Sequence, residues 1–524
     1  MKRKSMNMYP RMSLYLAAAA LLSSGAADGV QLSSLFNEHM VLQREREIAL
    51  FGEAEVGEKI DVKLGDQRAT TTAGTNGAWS VRLPAMKAGG PVELVVSGKN
   101  TLTFKDVLIG DVWLCAGQSN MGTGFARRAP PLDPGEMNLP KIRYAAYLSP
   151  AAEPPPAGKV PPLLWAVSDP KTVPTYPAFP WFFAQRIHQE TGVPIGIIKA
   201  NSGGARIELF MNPDVVEPNK IFGDWKYQLD CYKNNLPRNA KLLEEWVKAA
   251  QDAKEKNLPA PLIPCVDLHP SFSPPNRLGP FCFFFGAIAS LSKLPVKGIA
   301  WYQGESNVDD EGAYQFKLRS LIQGWRKAWN NPDLPFYFVQ LPNVYGPSGL
   351  PENPKFWPLA REAQAAVLAL PNTGMAVTLD VGDEDLHPRN KYDMARRLAS
   401  VALAKTYGKE IEYTGPVYKK CEIKGSKVIL HFDQLGKGLM IGKKEGLLPA
   451  VEDKEGKLME FGIAGLDRKF YPGDAVIEGD TVVVSCDKVP APASVRYAFT
   501  WNPSKRNLYG RNGLPVGPFR TDAW

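Results

Sequence analysis

The sequence predicts an α/β protein with a largely parallel sheet, flanked by β-rich segments at both ends. Three observations predict it. Short apolar runs such as Gly298-Ile299-Ala300-Trp301-Tyr302 and Phe336-Tyr337-Phe338-Val339-Gln340 lack polar alternation, as strands covered on both faces do. Helical stretches fall between such runs: Trp181 to Thr191 before Gly192, Ala313 to Trp329, and Lys391 to Tyr407 before Gly408. Outside residues 108–408 the pattern changes to short alternating segments punctuated by turns, which reads as antiparallel sheet.

Residues 1–26 read as a signal peptide. Lys2, Arg3, Lys4 and Arg11 precede or border an apolar stretch from Met12 to Leu22, and Ser24-Gly25-Ala26 offers a small-residue cleavage site. The apolar stretch is too short to span a membrane. A secreted or periplasmic location is therefore expected, a retained anchor being the alternative. The formal net charge is +8; residues 1–26 carry four basic and no acidic residues, leaving +4 for the rest. No basic run suggests a nucleic-acid partner. Six cysteines are present, none in a C-x-x-C pair, which argues against zinc ribbons and thioredoxin-type motifs. Cys231–Cys265 and Cys421–Cys486 are candidate pairs, whereas Cys115 and Cys282 sit in apolar runs and read as buried thiols.

Residues 27–107 read as a β-sandwich-like domain, with strands at Ile48 to Phe51, Ile60 to Leu64, Trp79 to Leu83 and Val92 to Val96. Residues 108–408 form the α/β domain, with further strands at Ile195 to Ile198 and Met375 to Leu379. Its rhythm breaks at about 211–290, where a polar helix near 240–256 lies among proline-rich loops. That insertion either borders the active site or elaborates the surface. Residues 409–524 return to β segments, among them Val428 to Phe432 and Thr481 to Ser485.

Chemistry concentrates at three places, each after an apolar run: Gly117-Gln118-Ser119-Asn120-Met121, Trp301-Tyr302-Gln303-Gly304-Glu305-Ser306-Asn307, and Asp383-Glu384-Asp385-Leu386-His387-Pro388. A serine just past a strand end can present its hydroxyl at the top of a sheet, so Ser119 is the candidate nucleophile. It needs a base, and of the five histidines His387 is preferred because acids precede it on its loop; His269 is a weaker alternative. Asp383, Glu384 or Asp385 could orient the imidazole. Oxyanion donors are expected from the backbone of Ser119, from the Gly203-Gly204 turn and from the side chain of Gln303 or Asn307. Gln118, Arg206 and Glu305 are expected to contact substrate; Glu305 alternatively reads as a buried acid holding the loops together. No cluster has metal-ligand spacing, and no cofactor is expected. Met121 stands where G-x-S-x-G needs glycine, which disfavours an α/β-hydrolase elbow.

These motifs, with Met40-Val41-Leu42-Gln43-Arg44 near the start and Val495 to Phe499 and Gly513 to Arg520 near the end, resemble the SGNH-hydrolase superfamily, and within it the sialate O-acetylesterases. The resemblance implies a flavodoxin-like catalytic domain that removes acetyl groups from sugars, O-acetylated sialic acids above all, without a cofactor. A sialic acid carries a carboxylate, for which Arg206, Arg127, Arg128 and Arg389 are the candidate partners. Acetylated xylan or pectic sugars are the alternative substrates, and a non-catalytic glycan-binding protein is the rival class. It implies Ser119 as nucleophile, His387 as base, and oxyanion donors at Ser119, Gly204 and the Gln303 motif. It places the acid three residues before the histidine, where this chain has Glu384; Asp385 is the rival.

Overall fold

The computed structural model describes residues 29–125, 132–147, 162–215, 283–346 and 354–524, with isolated positions between them. The expected leader, most of the 211–290 insertion with its helix, Arg127, Arg128, Cys231, Cys265 and Cys282 lie outside the described residues.

The central sheet contains β1 (Thr101–Gly117), β2 (Ile142–Tyr147), β3 (Leu163–Val167), β4 (Ile195–Asn201), β5 (Gly298–Tyr302), β6 (Phe336–Val339) and β7 (Thr373–Ala376). Their order is β3-β2-β4-β1-β5-β6-β7. Every neighbouring pair is parallel except β2 and β3, so the sheet is mixed with a parallel core. The final residues of β1, from Val107 to Gly117, are all buried, as the central strand of a sheet covered on both faces requires. The chain lays β4 on one side of β1 and β5 on the other. Such a reversal opens a crevice beyond the carboxyl ends of the strands, the usual ligand position in open α/β sheets.

Helices cover both faces: α1 (Ala178–Thr191), α2 (Ala313–Ala328), α3 (Trp357–Ala366) and α4 (Lys391–Lys405). On one face α1 and α4 enclose a core with Trp113, Cys115, Phe179, Phe183, Leu398 and Val401, and Trp113 meets Phe183 edge-on at 5.1 Å. Trp301 of β5 meets Trp325 of α2 edge-on at 5.8 Å. Aromatic pairs of this geometry add about 0.5–1.5 kcal/mol beyond the area they bury. Burial also pushes the Cys115 thiol far up, which keeps it protonated and inert. α1 begins three residues earlier than the sequence suggests, because Pro180 falls in its first turn, where the missing N–H costs nothing. It ends at Gly192, whose φ of 69° is the left-handed cap that glycine supplies cheaply.

The strand expected at Met375 to Leu379 lies instead at Thr373–Ala376. Its apolar run is buried for two reasons: Ala376 packs in the core with α1 and α4, whereas Leu379 packs with Val428, Leu430, Val482 and Val484 of the C-terminal region. That region contains a four-stranded antiparallel sheet of Val417–Lys424, Lys427–Asp433, Thr481–Ser485 and Asp474–Glu478, in that order. Within it Cys421 and Cys486 are free thiols. Cys421 is paired with Leu430, which faces Val482, while Cys486 lies beyond Ser485 at the other end of the strand. The candidate pair Cys421–Cys486 is therefore not bridged.

The described chain forms two compact units. One holds Ala49–Leu83, Glu93–Phe104 and the described residues up to Ser33; the other holds Ser34–Ile48, Pro84–Val92 and Lys105–Trp524. Residues 107 and 108, where a domain boundary is expected, lie inside β1, and residues 409–524 belong to the same unit as the α/β sheet. In the smaller unit Lys59–Leu64 pairs antiparallel with Gln67–Thr72, burying Ile60, Val62 and Leu64 while Lys59 and Lys63 face outward. Among the described residues no helix is long and apolar enough to cross a membrane.

Candidate active site

β1 ends at Gly117 with φ +139°, and a Cβ there would lie 2.0 Å from the Tyr302 carbonyl oxygen. Only glycine tolerates both the dihedral and the approach. The close packing lets the Gln118 N–H donate to the Tyr302 oxygen at 3.0 Å and the Ser202 N–H to the Gly117 oxygen at 3.1 Å. The loops after β4 and β5 therefore clasp the turn after β1. Ser119 opens a one-turn helix, Ser119–Gly122, and is partly exposed.

His387 comes from the loop after β7. Its Nε2 lies 2.8 Å from the Ser119 Oγ, although the residues are 268 apart in sequence. Asp383 shapes that loop: its two oxygens accept from the backbone N–H groups of Asp385, at 2.7 Å, and Arg389, at 3.0 Å. Asp385 in turn accepts from the His387 backbone N–H at 2.9 Å and holds Oδ1 3.7 Å from the imidazole Nδ1. That separation is an ion-pair contact rather than a hydrogen bond. Glu384 points outward and is exposed.

The third segment is the turn after β4. Gly204 has φ +68°, and a Cβ built on Gly203 would sit 4.0 Å from the Ser119 Cβ. Among the described residues the N–H groups of Ser119 and Gly204 donate to no acceptor. Gln118 is buried, with Oε1 accepting from the Gly304 and Ser306 N–H groups at 3.4 and 3.3 Å. Its carboxamide is thereby oriented, and Nε2 is left for another acceptor.

A solved carbohydrate acetylesterase from Xanthomonas citri is 33% identical and superposes with a TM-score of 0.76, over 94% of this chain and 100% of that one. The sequence profile described as carbohydrate esterase, sialic acid-specific acetylesterase, matches residues 286–407. The chain belongs to the sialate O-acetylesterase family. Rat sialate O-acetylesterase is 28% identical over 80% of this chain and 82% of its own length. The human protein of that name is 25% identical over 94% and 93%. This acetylesterase is accordingly a carboxylic ester hydrolase acting on acetyl esters of sugars.

Two expected oxyanion donors of the acetylesterase are spent elsewhere. The Gln303 Nε2 donates to the Ala205 carbonyl at 3.2 Å and the Asn307 Oδ1 at 2.7 Å. The Asn307 Nδ2 donates to Glu208 at 3.0 Å and Asp310 at 2.6 Å, and its Oδ1 also accepts from the Ile207 N–H at 2.8 Å. Both side chains are wholly buried and have no amide proton left for an oxyanion. They instead fix the segment Ala205–Ile207 that follows the Gly203-Gly204 turn.

Arg206, expected to meet a substrate carboxylate, donates to Asp309 at 3.0 and 3.1 Å and to Asp310 at 2.7 Å. Burial pulls its guanidinium down, but Glu208, Asp310 and Asp309 outweigh that and hold it above its ordinary value. Lys317 joins the same network, 2.6 Å from Glu208 and 2.7 Å from Asp310. Although burial favours its protonated form, Glu208 is held at about 2, chiefly by Lys317 and then Arg206. Asp310 goes the other way, raised by burial and by the charge of Glu208. Glu305 is buried rather than open to substrate; its Oε1 accepts from the Asn120 Nδ2, and its Oε2 has no hydrogen-bond partner among the described residues. Burial pushes its carboxyl up, against the pull of its own N–H, Asn120 and Lys391.

Sequence reasoning gave Asn120 and Lys391 no task. Asn120 is buried, donating to the Leu386 carbonyl at 3.1 Å, and Lys391 is buried with Nζ 2.5 Å from the Asn120 Oδ1. A signal was available. The first turn of a helix favours acids, and a lysine opening α4 is the anomaly.

Proposed function

We propose that this acetylesterase deacetylates sugars, O-acetylated sialic acids first among them, through an acyl-enzyme on Ser119. The observation that carries the reading is the 2.8 Å contact between the Ser119 Oγ and the His387 Nε2, a nucleophile and base within hydrogen-bond reach. His387 takes the Ser119 proton as Oγ attacks the acetyl carbonyl carbon. The Ser119 and Gly204 N–H groups stabilise the oxyanion. Collapse breaks the bond to the sugar oxygen, which leaves with the proton from His387. Water then gives a proton to His387 and attacks the acyl carbon; acetate departs and Ser119 recovers its proton. Asp385 favours the imidazolium formed in each half. The reading includes an SGNH-type, flavodoxin-like catalytic sheet, supported by the parallel core and by the site beyond the strand ends beside β1. Export rests on the leader pattern in residues 1–26.

Arg206 is held by its acids, so recognition of a sialate carboxylate falls to another cation. Arg389 is exposed two residues after His387. A second reading, a neutral acetylated polysaccharide, is favoured by the occupied Arg206 and by the greater identity to a protein named only as a carbohydrate acetylesterase. Acetate release from O-acetylated sialoglycans and acetylated xylan, side by side, decides between them. Ser119→Ala is expected to lower kcat on the preferred substrate by roughly a thousandfold or more. Substantial turnover by a folded Ser119→Ala would refute the nucleophile. Preference for xylan would keep the mechanism and replace the substrate.

A further inference from the structure

We infer that Lys391 is a positioning residue for the Ser119–His387 pair, acting through the carboxamide of Asn120. The inference rests on the reading of those two residues as nucleophile and base. Asn120 follows Ser119 directly. One of its amide protons goes to the carbonyl of Leu386, the residue before His387, and the other to Glu305 on the loop after β5. The carboxamide therefore ties together three of the segments at the site: its own turn, the histidine loop and the Gly304–Asn307 segment. It can do so only with its oxygen pointing away from both acceptors. The Lys391 Nζ fixes that orientation by donating to Oδ1 at 2.5 Å.

Burying an ammonium costs several kcal/mol unless charge or dipoles compensate. Here Lys391 is wholly buried at the start of α4, 5.2 Å from the centre of the Tyr302 ring. The carboxylate of Glu305 lies on the far side of the Asn120 amide, and its attraction for Lys391 runs through that group. The order is cation, amide oxygen, amide N–H, carboxylate, so each dipole along the line is aligned with the field. Tyr302 also supplies the carbonyl that accepts from Gln118, so the cation packs against the strand end that anchors the nucleophile turn. Losing the cation frees the amide to rotate and uncouples Leu386, and with it the adjacent imidazole, from Ser119.

The test is Lys391→Met, with kcat and KM measured on the preferred acetylated sugar and normalised to the folded fraction from near-UV circular dichroism. Misalignment of a reacting pair by about 1 Å costs on the order of 100-fold. A fall in kcat per folded molecule of roughly tenfold or more, with KM within about threefold, is expected. A purely structural lysine would lower the folded fraction and leave kcat per folded molecule unchanged, which would overturn the inference. Should Lys391→Met not fold, Asn120→Asp decides. It keeps the side-chain volume but cannot donate to Leu386 or Glu305, so kcat falls with KM steady, and unchanged kcat refutes the role. Ser119→Ala run in parallel keeps the two readings apart. Activity surviving in Ser119→Ala removes the nucleophile itself, whereas an inactive Ser119→Ala beside a normal Lys391→Met removes only the positioning role.

Discussion

Asp385 and Glu384 are adjacent carboxylates with different surroundings. Asp385 is held by the His387 N–H and faces the imidazole, whereas Glu384 points outward from the loop. Asp385→Asn is therefore expected to lower kcat by on the order of 100-fold or more, and Glu384→Gln by about threefold or less. Acetate release at saturating substrate measures both, and the larger loss in Glu384→Gln would transfer the role. Sequence alone could not separate the two. The turn that aims Asp385 is set by Asp383 capturing two backbone N–H groups, a contact that residue order does not encode. Ser119 and His387 stood out because each follows an apolar run and because acids precede the histidine on its loop. Gln303 and Asn307 were legible as amides near the site, but were expected to donate to the oxyanion. A wholly buried carboxamide must satisfy its own donors, and here Ala205, Glu208 and Asp310 take them before any substrate could.

At the level of the elements, α4 is tied to the segment after β7 by Asp380 and Arg397, two contacts of 2.5 and 2.7 Å between buried groups. Burial pushes the Asp380 carboxyl up, but the Arg397 charge and hydrogen bonds prevail and hold it below its ordinary value of 3.8. Removing one partner of such a pair leaves the other charged and buried. Asp380→Asn should therefore destabilise the fold by about 3–5 kcal/mol at neutral pH. The sign of the pH effect follows from the depressed pKa. The unfolded carboxyl protonates first as pH falls, so the stabilisation is complete above the ordinary value and is lost as pH drops through the folded one. The difference between parent and Asp380→Asn in guanidinium unfolding should thus shrink from pH 7 to pH 3; a constant difference would mean that the ion pair is not its source. The same junction explains the displaced strand. Met375 to Leu379 is one apolar run in sequence, but two different layers bury its two ends, and a run carries no mark of where one layer hands over to the next.

For the whole molecule, the decisive question is whether residues 409–524 are a separate domain, as their β pattern suggests, or part of the catalytic body. Contacts across residue 408 argue for the second. Leu379 packs in the C-terminal core, and Trp501 packs on Val344 and Trp357. Tyr509 donates to Asp380 at 3.2 Å, and Arg520 meets Glu362 at 2.8 Å. Arg361 is wholly buried, with its pKa pushed down to about 9 by burial, and donates to four carbonyls. Leu341 and Pro342 supply two of them, Thr500 and Trp501 the others, at 2.7 and 2.9 Å. Uncovering Leu379, Val344 and Trp357 forfeits roughly 1.5–3 kcal/mol each, before the loss of two acceptors from a buried guanidinium is counted. A domain holds only about 5–15 kcal/mol in total. A chain ending at residue 408 should therefore keep much of its far-UV helical signal while losing near-UV signal, cooperative melting and esterase activity, the behaviour of a collapsed but unpacked state. Cooperative unfolding of the shortened chain with activity retained would make the C-terminal region an independent domain, and would move the support of Arg361 and Asp380 wholly inside the α/β sheet.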